Sequence, residues 1–261
     1  MPLKWMKGKN TGVLIPRHIY ETSLHTIQDS GLFTLMFGSQ KGVEKNEALI
    51  NRWYDGMIEF TLEHGAPVTC VECDCQKILG VEKAWEFRER MRRDLPKQNR
   101  IINVFHLEDG QKGLDRLIEY SDYLAVSVPE LRFAGKSNMV YEIVSYIKNR
   151  KPEIDIHLLG CTHLETLRKC NFCTSSDSTS WIAGKRFGFL KGRYIRQLKK
   201  SEILKYVSEE QWNAIAEYNS PDNTNFLCAS IEIVKDEYSR YAGEQDYYSL
   251  DWRKQYEENT I

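Results

Sequence analysis

No apolar run in this chain approaches the length of a membrane span, and no stretch near its start has the layout of a signal peptide. Charge of either sign is not in excess. The 36 Lys and Arg face 37 Asp and Glu, for a formal net charge of -1, so no global field draws the protein onto nucleic acid. No G-x-G-x-x-G follows the first apparent strand, which argues against a dinucleotide fold, and no internal repeat, low-complexity tract or long linker is visible. Cysteine is present, but not in a metal-binding pattern. Cys70-x2-Cys73-x-Cys75 sets Cys73 and Cys75 on one face of an extended segment, too straight for tetrahedral closure. Cys170-x2-Cys173 has no second pair, and beyond Asp177 there is one cysteine, Cys228, and no histidine. A redox role for Cys170 and Cys173 lacks a thioredoxin-like context. No zinc site is therefore expected. Seven cysteines at irregular spacing predict a reducing, cytoplasmic setting, and the lack of a long apolar run predicts no membrane contact.

What is present is a regular alternation. The length of 261 residues suits one large domain, and 41% hydrophobic residues can fill its core. Short apolar segments at Gly12–Ile15, up to Ile27, Val68–Cys75, Ile101–Phe105, Tyr123–Val128 and Ile156–Leu159 predict strands. Between them, Glu44–His64, Val81–Leu95, Gly113–Tyr120, Asn138–Asn149 and His163–Cys170 have helical spacing. Such strands suit a parallel sheet covered on both faces. The expected fold is α/β, a TIM-like (β/α)8 barrel over residues 1–200, with a helical extension over 201–261 packed on it. A doubly wound open sheet is the alternative. Polar residues stand at the carboxyl ends of the strands, where a parallel barrel builds its site: Asp29, Asp74, His106, Ser127, Gly160 and Asp177.

Asp177 lies in a run of hydroxyls, Ser175 to Ser180, followed by Trp181 and then by Lys185 and Arg186. From Lys185 to Lys200 there are seven basic residues and no acid, among them Lys191 and Arg193, and residues 1–20 are likewise basic without an acid. Solvated faces are the plain explanation, but the position just after Asp177 suits phosphate contacts. Asp29 and Asp177 are the candidate catalytic pair. Two carboxylates on one sugar can break a glycosidic bond by double displacement, one attacking the anomeric carbon and the other moving the proton. Taken singly, either Asp is as readily a turn or strand-end cap. Asp74 could accept from the edge of a guanine or form a buried ion pair; His106 could line a base pocket or be a satisfied core histidine. Cys70 and Glu72 are expected in the barrel interior.

Several stretches together resemble the tRNA-guanine transglycosylase superfamily. Asp29-Ser30-Gly31-Leu32-Phe33 resembles its D-S-G-G-F motif, Val71–Cys75 its strand ending in a guanine-binding Asp, and His157-Leu158-Leu159-Gly160 its Y-L-M-G. Asn103–Gly110 occupies the place of its base-contact strand, with His106 where a glutamine is usual. Leu124–Pro129 resembles its backbone-contact strand, and Ser176-Asp177 falls where the family has Phe-Asp. The match runs over residues 10–195. The family's C-x-C-x2-C…H zinc subdomain is absent, and S-S-D-S-T-S-W is closer to the phage and bacterial DNA-guanine transglycosylase (DpdA-type) branch. That resemblance implies exchange of guanine in DNA for a 7-deazaguanine base, such as 7-cyano-7-deazaguanine, without ATP, metal or other cofactor. It implies Asp177 as nucleophile and Asp29 as acid/base. Ser30, Phe33, Asp74, Gln76, His106, Ser127, Leu159 and Gly160 would bind the base, and Lys185, Arg186, Lys191 and Arg193 the DNA. Exchange on tRNA, a non-catalytic nucleic-acid-binding relative and a barrel hydrolase of nucleosides are the rival readings. Oligomeric state is left open.

Overall fold

The computed structural model of the chain describes residues 27–32, 35, 42–64, 67–178, 189–190, 193–194, 199–205, 208–210, 213 and 238. The backbone divides into two compact units, Met1–Cys161 with Phe172–Ser176, and Thr162–Asn171 with Asp177–Ile261.

In the first unit the order is β1 (Ile27–Gln28), α1 (Glu47–His64), β2 (Thr69–Val71), α2 (Gln76–Leu79), α3 (Val81–Asp94), β3 (Arg100–Phe105), α4 (Gly110–Tyr120), β4 (Tyr123–Ser127), α5 (Val128–Phe133), α6 (Met139–Arg150), β5 (Asp155–Leu159) and β6 (Ser175–Ser176). The strands form one six-stranded sheet in chain order, and every neighbouring pair is parallel. A doubly wound sheet reverses its order at a switch point. None occurs here, so that alternative falls. The sheet curls into a half-barrel with helices. The closed eight-stranded barrel is not formed among the described residues, because closure needs a further strand at each edge. There β1 and β6 are the ends, each two residues long.

The alternation of side chains along each strand decides which face is which. Val71, Ile102, Val104, Tyr123 and Ala125 form one buried cluster made of strand residues alone, the inner face. Cys70 belongs to the other cluster, with Trp53, Tyr54 and Met57 of α1 and Phe87 and Met91 of α3. The α1 stripe follows the helical period, and its first turn is capped by Asn46, whose Oδ1 accepts from Leu49 N–H at 2.9 Å. The α3 helix ends at Asp94; Leu95 follows in an extended conformation before Pro96, which cannot continue the helix.

Cys70 and Glu72 are thus not in the barrel interior as expected. Val71 is the inward residue, so its neighbours face the helices. Glu72 meets Arg88 of α3: Arg88 Nε donates to both carboxylate oxygens at 2.9 Å, and its Nη2 lies 2.9 Å from Oε1. Asn103 Nδ2 donates at 2.5 Å and Val104 N–H at 3.0 Å. Burial pushes the Glu72 carboxyl up from its ordinary range, and the guanidinium and these donors pull it back. The pair ties β2, β3 and α3 together beneath the rim of the sheet.

On the inner face, β6 is held by one hydroxyl. Ser175 Oγ lies 2.5 Å from Tyr123 Oη and 2.6 Å from His157 Nδ1. Burial raises the Tyr123 phenol to about 12, so it stays protonated. Arg100 stacks 4.7 Å above the Tyr123 ring and pairs with Asp155, which also accepts from Thr174 Oγ1 at 2.7 Å.

In the second unit, α7 (Leu164–Lys169), an antiparallel pair of β7 (Phe189–Leu190) and β8 (Arg193–Tyr194), and α8 (Lys200–Ile203) are described. Tyr238 Oη donates to the Thr162 carbonyl. The expected strand at Gly12–Ile15 and most of the expected helical extension lie outside the described residues. Among the described residues no helix is long and apolar enough to cross a membrane.

Removing one member of a buried ion pair leaves the other uncompensated, at about 3–5 kcal/mol. Arg88→Ala is therefore expected to lower unfolding stability by about that much in urea titrations. The Glu72→Gln/Arg88→Met double variant should recover a large part of it. An Arg88→Ala midpoint equal to wild type would mean the pair does not anchor α3.

Candidate functional site

The polar residues gather where the first four strands end. Past β1 the chain turns through Asp29, Ser30 and Gly31, the last at φ 74°, a conformation glycine adopts without strain. This turn is anchored from below: the buried Trp53 indole N–H donates to the Ser30 carbonyl at 2.7 Å. Past Val71 the strand expected to continue to Cys75 breaks. Two successive three-residue turns, closed by Asp74 N–H to Glu72 O at 3.0 Å and Cys75 N–H to Cys73 O at 2.9 Å, lift Asp74 onto the rim and feed α2. Past β3, His106 caps a short 3-10 turn at Leu107–Asp109, with its own N–H bonded to Asp109 Oδ2 at 2.9 Å. Past β4, Glu130 falls in the first turn of α5.

These groups form one chain of contacts. Ser30 Oγ donates to Asp74 Oδ1 at 3.0 Å, and His106 Nε2 lies 3.2 Å from Asp74 Oδ2. His106 Nδ1 lies 2.8 Å from Glu130 Oε2, and Lys77 Nζ 2.8 Å from Glu130 Oε1 and 3.5 Å from Glu108. Burial by itself would lower the His106 pKa. The hydrogen bonds and charges of Asp74 and Glu130 outweigh it and raise it from 6.5 to about 10, so the imidazolium donates at both nitrogens. Burial would raise Glu130, but His106 and Lys77 bring it from 4.5 down to about 2. Acids and bases alternate along the rim, each charge meeting its opposite.

Ligand atoms of His106, Glu108 and Glu130 lie within 4.8 Å of one another, the spacing of a metal site. The Lys77 ammonium already sits against both glutamates, and both imidazole nitrogens are engaged. A metal would have to displace a lysine and a proton held well above neutrality. The cluster is an ion-pair network.

Of the residues expected to bind the base, Ser30, Asp74 and His106 are in direct contact. His106 and Gln76 differ from expectation in how they serve. Both His106 nitrogens are engaged by carboxylates of the protein, so the imidazole braces Asp74. Gln76 is buried, its Nε2 donating to Val104 O at 3.1 Å and to Asp109 Oδ2 at 3.4 Å. It braces the 3-10 turn, because α2 begins at this residue and turns it inward. Asp29 is exposed beside Ser30. Ser127 and Leu159 are register partners at the ends of β4 and β5, with Leu159 packed on the inner cluster. Gly160 has φ 63°, and a Cβ there would come within 2.5 Å of Pro129 Cγ. Its bare backbone makes room for the start of α5 and hence for Glu130.

Asp177 follows β6 directly, is exposed, and belongs to the second unit. Phe33, Lys185, Arg186 and Lys191 lie outside the described residues, and Arg193 is described only as backbone of β8. Glu130, Lys77 and Glu108 were not singled out in the sequence. The only signal for Glu130 is an acid placed just past a strand end, in Ser127-Val128-Pro129-Glu130.

Compared with known proteins, the chain matches no family model, no curated protein and no solved structure.

The sign of the pH dependence follows from the rim. The folded His106 holds its proton above the pKa of the unfolded chain. Its stabilisation is complete below about 6.5 and is lost as pH rises towards about 10. Glu130, depressed, adds stability above about 4.5 that is lost as pH falls towards about 2. Denaturant midpoints should therefore fall between pH 7 and 10, and His106→Gln should flatten that slope. Parallel slopes for variant and wild type would refute the charged imidazole.

Proposed function

We propose that the protein is a DNA-guanine transglycosylase: it exchanges guanine in DNA for a 7-deazaguanine base through a covalent aspartyl-deoxyribose intermediate. On this reading the half-barrel is part of a TIM-like (β/α)8 fold. The observation that carries the reading is the contact of Ser30, Asp74 and His106. They come from three separate stretches that resemble the family, and they meet at the carboxyl rim of one parallel sheet.

Asp74 is suited to a guanine edge. Its side chain is 13% exposed and held at both oxygens, by Ser30 and by the His106 imidazolium. A carboxylate has about four acceptor sites, so each oxygen keeps one for a ring N–H or exocyclic amine. Holding the acceptor in place beforehand spares the ordering cost at binding. In this mechanism the Asp177 carboxylate attacks C1′, the bond from C1′ to the guanine nitrogen breaks, and Asp29 supplies the departing base with a proton. Asp29 then takes the proton of the incoming deazaguanine, whose nitrogen attacks C1′ and releases Asp177. Leu159 lies under the base, and Phe33 above it. A base in duplex DNA must first be flipped out, at a few kcal/mol. Lys185, Arg186, Lys191 and Arg193 grip the phosphates. No step needs ATP or a metal.

The test is release of labelled guanine from plasmid DNA with a panel of deazaguanine bases. Wild type should release guanine only when an acceptor base is present. Asp29→Asn should slow exchange about 10²–10⁴-fold, and Asp177→Ala, still folded, should fail to form a trapped adduct. Exchange on a tRNA transcript but not on DNA would move the substrate to tRNA. Base release without an acceptor would make the protein a hydrolase, and no turnover with intact folding would make it a binding relative.

A further inference from the structure

The α5 helix that brings Glu130 into the rim network also carries Phe133, one turn further on, and positions three apart on a helix are surface neighbours. Scattered apolar residues on a surface are ordinary, but Phe133 stands apart. It is 71% exposed, against 50% for Tyr141, the next most exposed large apolar side chain among the described residues. It is also displayed rigidly. The helix ends at Phe133 and is closed by Gly135, φ 70°, where Gly135 N–H bonds Arg132 O at 3.1 Å and Lys136 N–H bonds Leu131 O at 2.7 Å. That pair of bonds is the Schellman closure. Leu131 is buried beneath it, so the turn is pinned to the core while the ring points to solvent.

The surroundings identify what the ring meets. From Arg132 to Asn138 every residue is exposed, with two cations, Arg132 and Lys136, and no acid. The Arg132 guanidinium lies 5.3 Å from the Phe133 ring centre. A protein interface would want a contiguous apolar patch around the aromatic. Here the chain neighbours are Ala134, Gly135, Ser137 and Asn138, small or polar, with Arg132 before the ring and Lys136 after it, and the acid one turn back, Glu130, is already paired with His106 and Lys77. An aromatic face flanked by cations is the chemistry that stacks a nucleobase and holds the adjoining phosphates.

We propose that Phe133 is a wedge for a nucleic-acid duplex: its ring stacks on the base beside the one drawn into the rim site, with Arg132 and Lys136 on the flanking phosphates. This rests on the reading of the site as a base-exchange site in DNA. It adds the element that occupies the gap an extruded base leaves. Because the helical turn bearing Glu130 also bears Phe133, gap filling and the base-edge network share one rigid support.

The test is binding of the full chain, by fluorescence anisotropy, to a DNA duplex with one tetrahydrofuran abasic position and to the fully paired duplex. Loss of one base-stacking contact corresponds to about 5- to 150-fold in Kd. Phe133→Ala should lose that much on the abasic duplex and far less on the paired one, while Phe133→Trp keeps the affinity. Arg132→Ala and Lys136→Ala should each reduce the salt slope of binding by about one. The ring is exposed, so thermal unfolding of Phe133→Ala should match wild type. Equal abasic-duplex affinity for Phe133→Ala and wild type, with base exchange intact, overturns the wedge and leaves the exchange reading standing. Wild type that neither binds DNA nor exchanges base overturns both. A wild-type dimer that Phe133→Ala turns into a monomer assigns the patch to a second copy of the chain and overturns the wedge.

Discussion

Parallel pairing in chain order is the constraint from which the rest of the first unit follows. When each strand pairs with the next and all run the same way, their carboxyl ends lie along one edge. Residues widely separated in the chain then become neighbours, provided each stands just past a strand. Ser30, Asp74, His106 and Glu130 satisfy that condition after β1, β2, β3 and β4. The inner face, built from strand side chains packed on one another, and the outer face, built with α1 and α3, keep those ends in register.

Bringing acids together along a rim creates an electrostatic problem, and the protein solves it by alternation. Asp74, His106, Glu130 and Lys77 follow one another as acid, base, acid and base, with Ser30 closing the open end. A half-buried carboxylate without such partners would be driven towards its neutral form. Beneath the rim the same solution recurs in drier surroundings, where Glu72 has Arg88, Asn103 and the Val104 amide. The two networks meet through Asp109, which accepts from His106 N–H and from Gln76 and lies 3.7 Å from Arg88. The rim acceptor is therefore braced through to the core.

This arrangement gives meaning to the division of labour under the proposed base exchange. Recognition of a flat polar edge rewards an acceptor that does not move, and Asp74 is clamped at both oxygens. The two candidate catalytic acids, Asp29 and Asp177, are instead exposed, each immediately past an end strand of the sheet. An aromatic on α5 is displayed with equal rigidity, one turn from Glu130.

Much of this was legible in the chain itself. Over the described part of the chain, short apolar runs marked the strands, because a parallel sheet is covered on both faces, and the 3.6-residue period marked the long helices, each to within a few residues. The Asp29-Ser30-Gly31 turn and the polar residues past the strand ends were visible for the same reason: a strand must end before the chain can turn. Three things lay beyond a linear reading. The turns at Glu72–Cys75 break the strand with no Gly or Pro to announce them, so Glu72 faces a helix and Asp74 the rim. The role of His106 depends on Glu130, which a sequence cannot place beside it, since an imidazole's charge is set by what surrounds it in space. The sheet's order, and with it the choice between a half-barrel and a doubly wound sheet, is a matter of which strands pair. Local residue preferences carry no information about partners; only the packed tertiary structure chooses them.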